Sequence, residues 1–119
     1  MRMEGLRDRT KEYSLRVIRM YCALPKTTLA QVLGKQVLRS GTSVAANFRE
    51  ASRARSDSEF ISKLGIVEQE LDESALWIDL IVESDLVKSS RVAQLQKETE
   101  ELLKIIVTAI RRSKSSSSR

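Results

Sequence analysis

The amino-acid sequence predicts an all-α protein, an antiparallel up-and-down four-helix bundle whose single domain covers residues 1–112. Its 119 residues include only 4 Gly and 1 Pro, which is too few turn-forming residues for an all-β fold. A hydrophobic content of 41% is too high for a disordered chain. Apolar residues recur three and four positions apart in four successive segments, which is the period of amphipathic helices.

The first helix is predicted from about Leu6 to Leu24. Its apolar positions include Tyr13 and Val17, and most of the residues between the apolar positions are basic or polar. Pro25 should end this helix, because proline disfavours helical geometry in the residue before it and cannot donate a hydrogen bond to the preceding turn.

The second helix is predicted from Thr28 to about Ala54. Thr28 and Gln31 have the spacing of a capping box, in which two side chains satisfy free backbone amides at a helix start. Gly41 is the weak point, since glycine inside a helix costs about 1 kcal/mol relative to alanine. A break there would give five short helices. We favour a continuous helix, because the apolar stripe keeps the same phase before and after Gly41.

The third helix should begin directly after a short turn. Ser56 and Glu59 form a second capping-box pattern, and Asp57 favours the positive end of the helix dipole. From Phe60 to Ile81 the apolar residues alternate spacings of four and three, which suits near-antiparallel packing in a bundle.

The fourth helix should be capped by Ser89 or Ser90, and its apolar stripe extends to Ile110. We expect it to fray from Arg111 onward. Residues 113–119 are serine-rich and basic, have nothing to bury, and are expected to form a disordered tail. That tail would either be solvated only or add weak electrostatic contact with phosphate.

The second helix carries a polar stripe beside its apolar one. A tight turn near Ser56 should make helices 2 and 3 antiparallel, so that residues whose numbers add to roughly 113 lie level. Basic residues on one helix then meet acidic residues on the other. The stripe is therefore either a subunit contact or an internal polar network, and the candidates for that network are Gln36, Arg39, Asn47, Glu50, Lys63, Glu70 and Glu73.

Charge is distributed unevenly along the chain, whose formal net charge is +5. Residues 57–85 carry nine acidic side chains and one basic one, whereas the segments on either side are net basic. The opposite charges could neutralise each other within the bundle, or a basic surface could attract polyanions. The candidate nucleic-acid-binding residues are Arg7, Arg16, Arg19, Lys35, Arg39, Arg49, Arg53 and Arg55. The sequence offers no aromatic platform on which bases could stack.

Residues that carry common enzyme chemistry are missing from the sequence. There is no histidine, which removes the usual general base and the commonest metal ligand. Cys22 is the single cysteine, so no internal disulfide can form and a reducing cytoplasm is the simplest setting. There is no glycine-rich phosphate loop, and no apolar run approaches the ~20 residues that cross a bilayer. We therefore expect no catalysis, no cofactor, no metal and no membrane partner.

The central third of the chain resembles a family of small bacterial four-helix-bundle proteins. These are the proteins encoded by intervening sequences in large-subunit ribosomal RNA genes, and a relative is the accessory protein of diversity-generating retroelements. The residues that carry the resemblance are Gln36, Arg39, Ser43, Val44, Asn47, Glu50, Arg55, Ser56, Glu59, Phe60, Leu64, Ile66 and Glu73.

The resemblance implies an up-and-down bundle that assembles into a homo-oligomeric ring, with a pentamer favoured. For the retroelement relative, it also implies binding of nucleic acid and of a reverse transcriptase. The function expected from the sequence is thus a non-catalytic oligomeric module that binds RNA or DNA through basic helical faces. The alternative is a protein-interaction scaffold or accessory subunit with no nucleic-acid role.

Overall fold

Four α-helices form the protein in a computed structural model that describes residues 3–117. The helices are α1 (Met3–Ala23), α2 (Thr28–Ser52), α3 (Asp57–Glu83) and α4 (Ser89–Ser117). Each helix packs against its neighbours in the chain, and α4 closes the bundle against α1. The short connections make successive helices antiparallel, and the bundle measures 52 × 21 × 20 Å. The prediction of an all-α antiparallel four-helix bundle is confirmed.

The start of α2 differs from the predicted capping box by one residue. Thr27, in extended geometry, is the N-cap, and its hydroxyl accepts a hydrogen bond of 3.2 Å from the Ala30 amide. Thr28 is instead the first helical residue. The Gln31 side chain accepts a 2.9 Å bond from the Tyr21 hydroxyl, which ties α2 to α1. Two adjacent threonines are both competent caps, so the sequence pattern could not separate them.

Ser56 caps α3 as predicted. Its hydroxyl accepts a 3.1 Å hydrogen bond from the Glu59 amide. The Glu59 carboxylate returns a bond to the chain before the helix, where it accepts from the Arg55 amide at 3.2 Å. The two bonds fix the short turn between α2 and α3, and this turn sets the register of the two helices.

The fourth helix continues further than the sequence indicated. It extends to Ser117, whereas we expected fraying from Arg111 and disorder over residues 113–119. Residues 111–117 contain neither glycine nor proline, so no residue in this stretch forces the helix to end. The last two residues of the expected tail, 118 and 119, lie outside the described part of the chain.

The second helix is continuous through Gly41, as predicted. Gly41 is buried against α1, and a Cβ atom placed on it would lie only 2.6 Å from a methyl carbon of Val17. The Ser14 hydroxyl donates a 2.7 Å hydrogen bond to the Gly41 carbonyl. Glycine is needed at this position because the two helices approach closely, and not because the chain turns there.

The core contains one cross-section of hydroxyl groups among its aliphatic side chains. Each helix contributes one buried residue to this hydroxyl layer, namely Tyr13, Ser40, Ser74 and Thr99. The Tyr13 and Thr99 hydroxyls are 2.8 Å apart, and so are those of Ser40 and Ser74. Burial raises the pKa of Tyr13 to about 12, although hydrogen bonds with Thr99 and Ser74 act in the opposite direction.

Candidate nucleic-acid interface

The outer seam between α2 and α3 contains a three-residue ion cluster. The Arg39 guanidinium lies 3.0 Å from a carboxylate oxygen of Glu70 and 2.9 Å from one of Glu73. The hydrogen bond from Arg39 to Glu70 is the main cause that raises the pKa of Arg39. The Arg39 side chain is 53% exposed, whereas Glu70 is only 11% exposed. The cluster therefore shields one nearly buried carboxylate with a cation at the surface.

A second ion pair stands further along the same seam. The Lys63 ammonium lies 2.6 Å from a carboxylate oxygen of Glu50, and this hydrogen bond raises the pKa of Lys63. The two predicted amide members do not join these ions. Asn47 donates to the Ser43 carbonyl of its own helix, and Gln36 is exposed without a side-chain hydrogen bond in the part of the chain that is described. The polar stripe forms two separate ion clusters across the seam, one of which includes the nearly buried Glu70, and neither cluster includes the predicted amides.

The end of the seam nearest the start of α2 is apolar and exposed. Val32 of α2 and Leu80 of α3 lie level in the antiparallel register, and Leu29 and Leu76 are each one turn away from them, in opposite directions along the bundle. Val32 is 55% exposed and Leu76 is 52% exposed. We call these four residues the apolar patch. Near them, the Trp77 indole Nε1 is buried and has no hydrogen-bond partner among the described residues.

A basic groove runs along the outside of α1 and α2. Two cations of α1, Arg7 and Lys11, face Arg49 of α2 and Arg53, which is the C-cap residue of that helix. The groove has a volume of about 440 Å³, and its other lining residues are Ala45, Ala46 and Glu50. Arg7 and Lys11 are four positions apart, so they are neighbours on one face of α1. The two alanines keep the groove open between the charged walls.

The cations of the basic groove are not neutralised by any side chain that the structure describes. Within the described residues, none of Arg7, Lys11, Arg49 and Arg53 forms an ion pair, in contrast to Arg9, which is held by Glu98 and Glu101. Glu50 is the acidic residue that lines the groove, and its carboxylate is held by Lys63 of α3. The groove therefore presents four positive charges to solvent, which would attract a polyanion.

The structure divides the eight cations that the sequence marked as candidates. Arg7, Arg49 and Arg53 come together in the basic groove. Arg16 and Arg19 lie in a separate groove between α1 and α4.

The other three candidates are apart from both grooves. Arg39 is occupied by its two glutamates, and Lys35 and Arg55 are exposed elsewhere. Sequence reasoning missed Lys11, although its position four residues after Arg7 was a visible signal.

Other kinds of site find little support in the described part of the chain. Residues 3–117 contain no group of three or more histidine, cysteine, aspartate or glutamate side chains arranged to hold a metal ion. Over the same residues, no helix combines the length and apolar character that crossing a bilayer requires. Cys22 is exposed and forms no disulfide.

Comparison with known proteins finds a matching family model and similar solved structures. The family model described as 23S rRNA-intervening sequence protein matches residues 6–108. Among solved structures, the chain is similar to a protein of unknown function from the S23 ribosomal protein family of Bacteroides thetaiotaomicron. The two share 31% sequence identity with a TM-score of 0.86, over 93% of this chain and 99% of the other. A search of curated proteins found no match.

Proposed function

This chain belongs to the 23S rRNA-intervening sequence protein family, and from that premise we propose that it is a non-catalytic, self-associating bundle that binds RNA or DNA. The observation that carries this proposal is the basic groove, where Arg7, Lys11, Arg49 and Arg53 face solvent without acidic partners among the described residues. The family's link to ribosomal RNA agrees with a nucleic-acid ligand, and a cytoplasmic location follows from the same proposal.

The chemistry of the basic groove favours contact with phosphate rather than with bases. Arginine and lysine side chains on adjacent turns provide several positive charges along one line, and such an arrangement neutralises consecutive phosphates. The groove is lined by no aromatic side chain on which a base could stack. Binding of this kind depends little on nucleotide sequence and weakens steeply as salt displaces the protein from the phosphates.

Removing the four groove charges is expected to abolish most of this binding. In a variant carrying Arg7→Gln, Lys11→Gln, Arg49→Gln and Arg53→Gln, the salt dependence of duplex binding should become shallower. The slope of log K against log salt should fall by about 3 to 4, since each phosphate contact contributes about 0.9. Gel shifts with one RNA and one DNA duplex across a salt series would measure it.

The matched control removes the same number of charges from α4, with glutamine replacing Lys97, Lys104, Arg111 and Lys114. This variant should keep most of its affinity, because its cations lie outside the basic groove. Equal losses in both variants would show that net charge alone is responsible. An unaltered protein that shifts neither duplex at low salt would overturn the proposal.

The apolar patch supports the self-association part of the proposal. Its four aliphatic side chains are exposed along the same α2–α3 seam, and exposed apolar surface is typical of regions that bury against a partner. Changing Val32→Lys together with Leu76→Lys is expected to reduce the mass measured by light scattering to that of one chain. Leu15→Lys on α1 serves as the control and should leave the mass unchanged. The family resemblance favours a pentamer. If the unaltered protein is monomeric at high concentration, this part of the proposal is contradicted.

A further inference from the structure

A second groove, between α1 and α4, combines positive charge with an apolar floor. Arg16 and Arg19 of α1 and Arg91 of α4 are its charged members, and its volume is about 380 Å³. We call it the arginine groove, and its apolar lining residues are Met20, Ala23, Val87, Val92 and Leu95. In the antiparallel packing of α1 and α4, Arg19 and Arg91 lie level, so the positive charges stand on both walls.

The arginines of this groove are available to a ligand. Arg16 and Arg91 form no ion pair with any described residue. Arg19 contacts Glu12 at 3.1 Å, but both side chains are more than half exposed, and an exposed pair of this kind exchanges readily for another carboxylate. The planar guanidinium group matches a carboxylate with two parallel hydrogen bonds, so carboxylates are natural ligands for this set of residues.

The floor of the arginine groove is preformed and apolar. Met20, Val92 and Leu95 are buried core residues whose outer edges line the groove. A phosphate backbone has no apolar group to bury on this floor. An aliphatic or aromatic side chain inserted there would be removed from water, which favours its binding. Methionine adapts its shape easily and suits a surface that receives a side chain.

The arginine groove is distinct from the basic groove. Arg16 follows Arg7 by nine residues, which at 3.6 residues per turn is half a turn around α1. The two grooves therefore open on opposite sides of α1, and one has an alanine floor while the other is lined by core aliphatic side chains.

We infer that the arginine groove is a docking site for an acidic amphipathic helix of a partner protein. An apolar residue of that helix would occupy the floor, and aspartates or glutamates three or four positions away would pair with Arg16 and Arg91. The positive charge of the groove favours a helix with acidic side chains beside its apolar residue. The apolar floor favours an amphipathic helix over a nucleic acid.

The experiment uses a synthetic helical peptide of about 18 residues, with leucine at every third or fourth position and glutamate between. Amide chemical shifts of the full chain, followed by NMR during titration, should change most in residues 16–23 and 87–95. The variant Arg16→Gln with Arg91→Gln should bind the peptide about tenfold more weakly. Both arginines lie at the surface, and circular dichroism would verify that the variant keeps its fold.

Two controls separate this inference from the nucleic-acid proposal. The variant Arg7→Gln with Arg49→Gln should bind the peptide normally, and an RNA duplex should not displace the peptide, because the grooves face opposite ways. A peptide with lysine in place of glutamate should not bind. The inference is overturned if the acidic peptide fails to bind at low salt, if the lysine peptide binds equally well, or if the shifted residues lie elsewhere.

Discussion

Replacing Gly41 with leucine is expected to destabilise the folded protein by about 3 kcal/mol, because no room exists for a side chain at this position. Even a Cβ atom would lie 2.6 Å from a methyl carbon of Val17 and 2.9 Å from its Cβ. Valine is branched at Cβ and cannot rotate away within a helix, so α1 and α2 would have to separate. Urea unfolding followed by circular dichroism would measure the loss.

Gly65 of α3 offers the matched control. It is also a glycine inside a helix, but a Cβ atom added there would meet nothing within 4 Å. Gly65→Ala is therefore expected to stabilise the protein by about 1 kcal/mol through helix propensity. If the Gly41→Leu variant unfolds at the same urea concentration as the unaltered protein, that result would contradict the close approach of α1 and α2 at Gly41.

Raising the pH from about 10 to 12 is expected to remove about 2 kcal/mol of stability through Tyr13 alone. Burial raises the pKa of Tyr13 to about 12, from 10 in the unfolded chain. Below pH 10 the tyrosine is protonated in both states, so the free energy of unfolding does not depend on its titration. Above pH 10 the unfolded chain loses the proton first, which favours unfolding until the folded state also titrates near pH 12.

The measurement compares the unaltered protein with Tyr13→Phe in urea at each pH. All other ionisable groups are the same in the two proteins, so the difference between them isolates Tyr13. The phenylalanine variant should be about 1 kcal/mol less stable at neutral pH, since the bond between Tyr13 and Thr99 is lost. Identical pH dependence in the two proteins would contradict the burial of the Tyr13 hydroxyl.

Sequence periodicity was sufficient to predict the fold because the signals are local and agree with one another. The unchanged apolar phase around Gly41 indicated a continuous α2, and the Ser56 pattern located the start of α3. With the turn located, the rule that level residues add to roughly 113 brings Arg39 close to Glu70 and Glu73 and brings Glu50 level with Lys63, and these are the ion pairs in the structure. The pairing followed from arithmetic along two helices and needed no knowledge of the other two.

The grouping of the basic residues could not be predicted in the same way. Whether Arg16 joins Arg7 depends on which helix packs against each side of α1, and this is decided by tertiary packing. The predicted role of the amide side chains was wrong for a different reason. Asn47 donates its hydrogen bond to the nearby Ser43 carbonyl of its own helix and not to the ion cluster. The end of α4 was misjudged because serine and lysine, though unable to build a core, do not stop a helix that is already formed.

The hydroxyl layer has a consequence for the outside of the molecule. Contacts between aliphatic side chains tolerate sliding of one helix along another. The hydrogen bond between Ser40 and Ser74, in contrast, would break if α2 shifted by one turn relative to α3. Ser14, donating to the Gly41 carbonyl, similarly locks α1 lengthwise onto α2. The positions of the exposed cations along the bundle axis therefore depend on polar contacts in the core. Mutations of these buried residues, which no ligand contacts, would still change the distances between the cations.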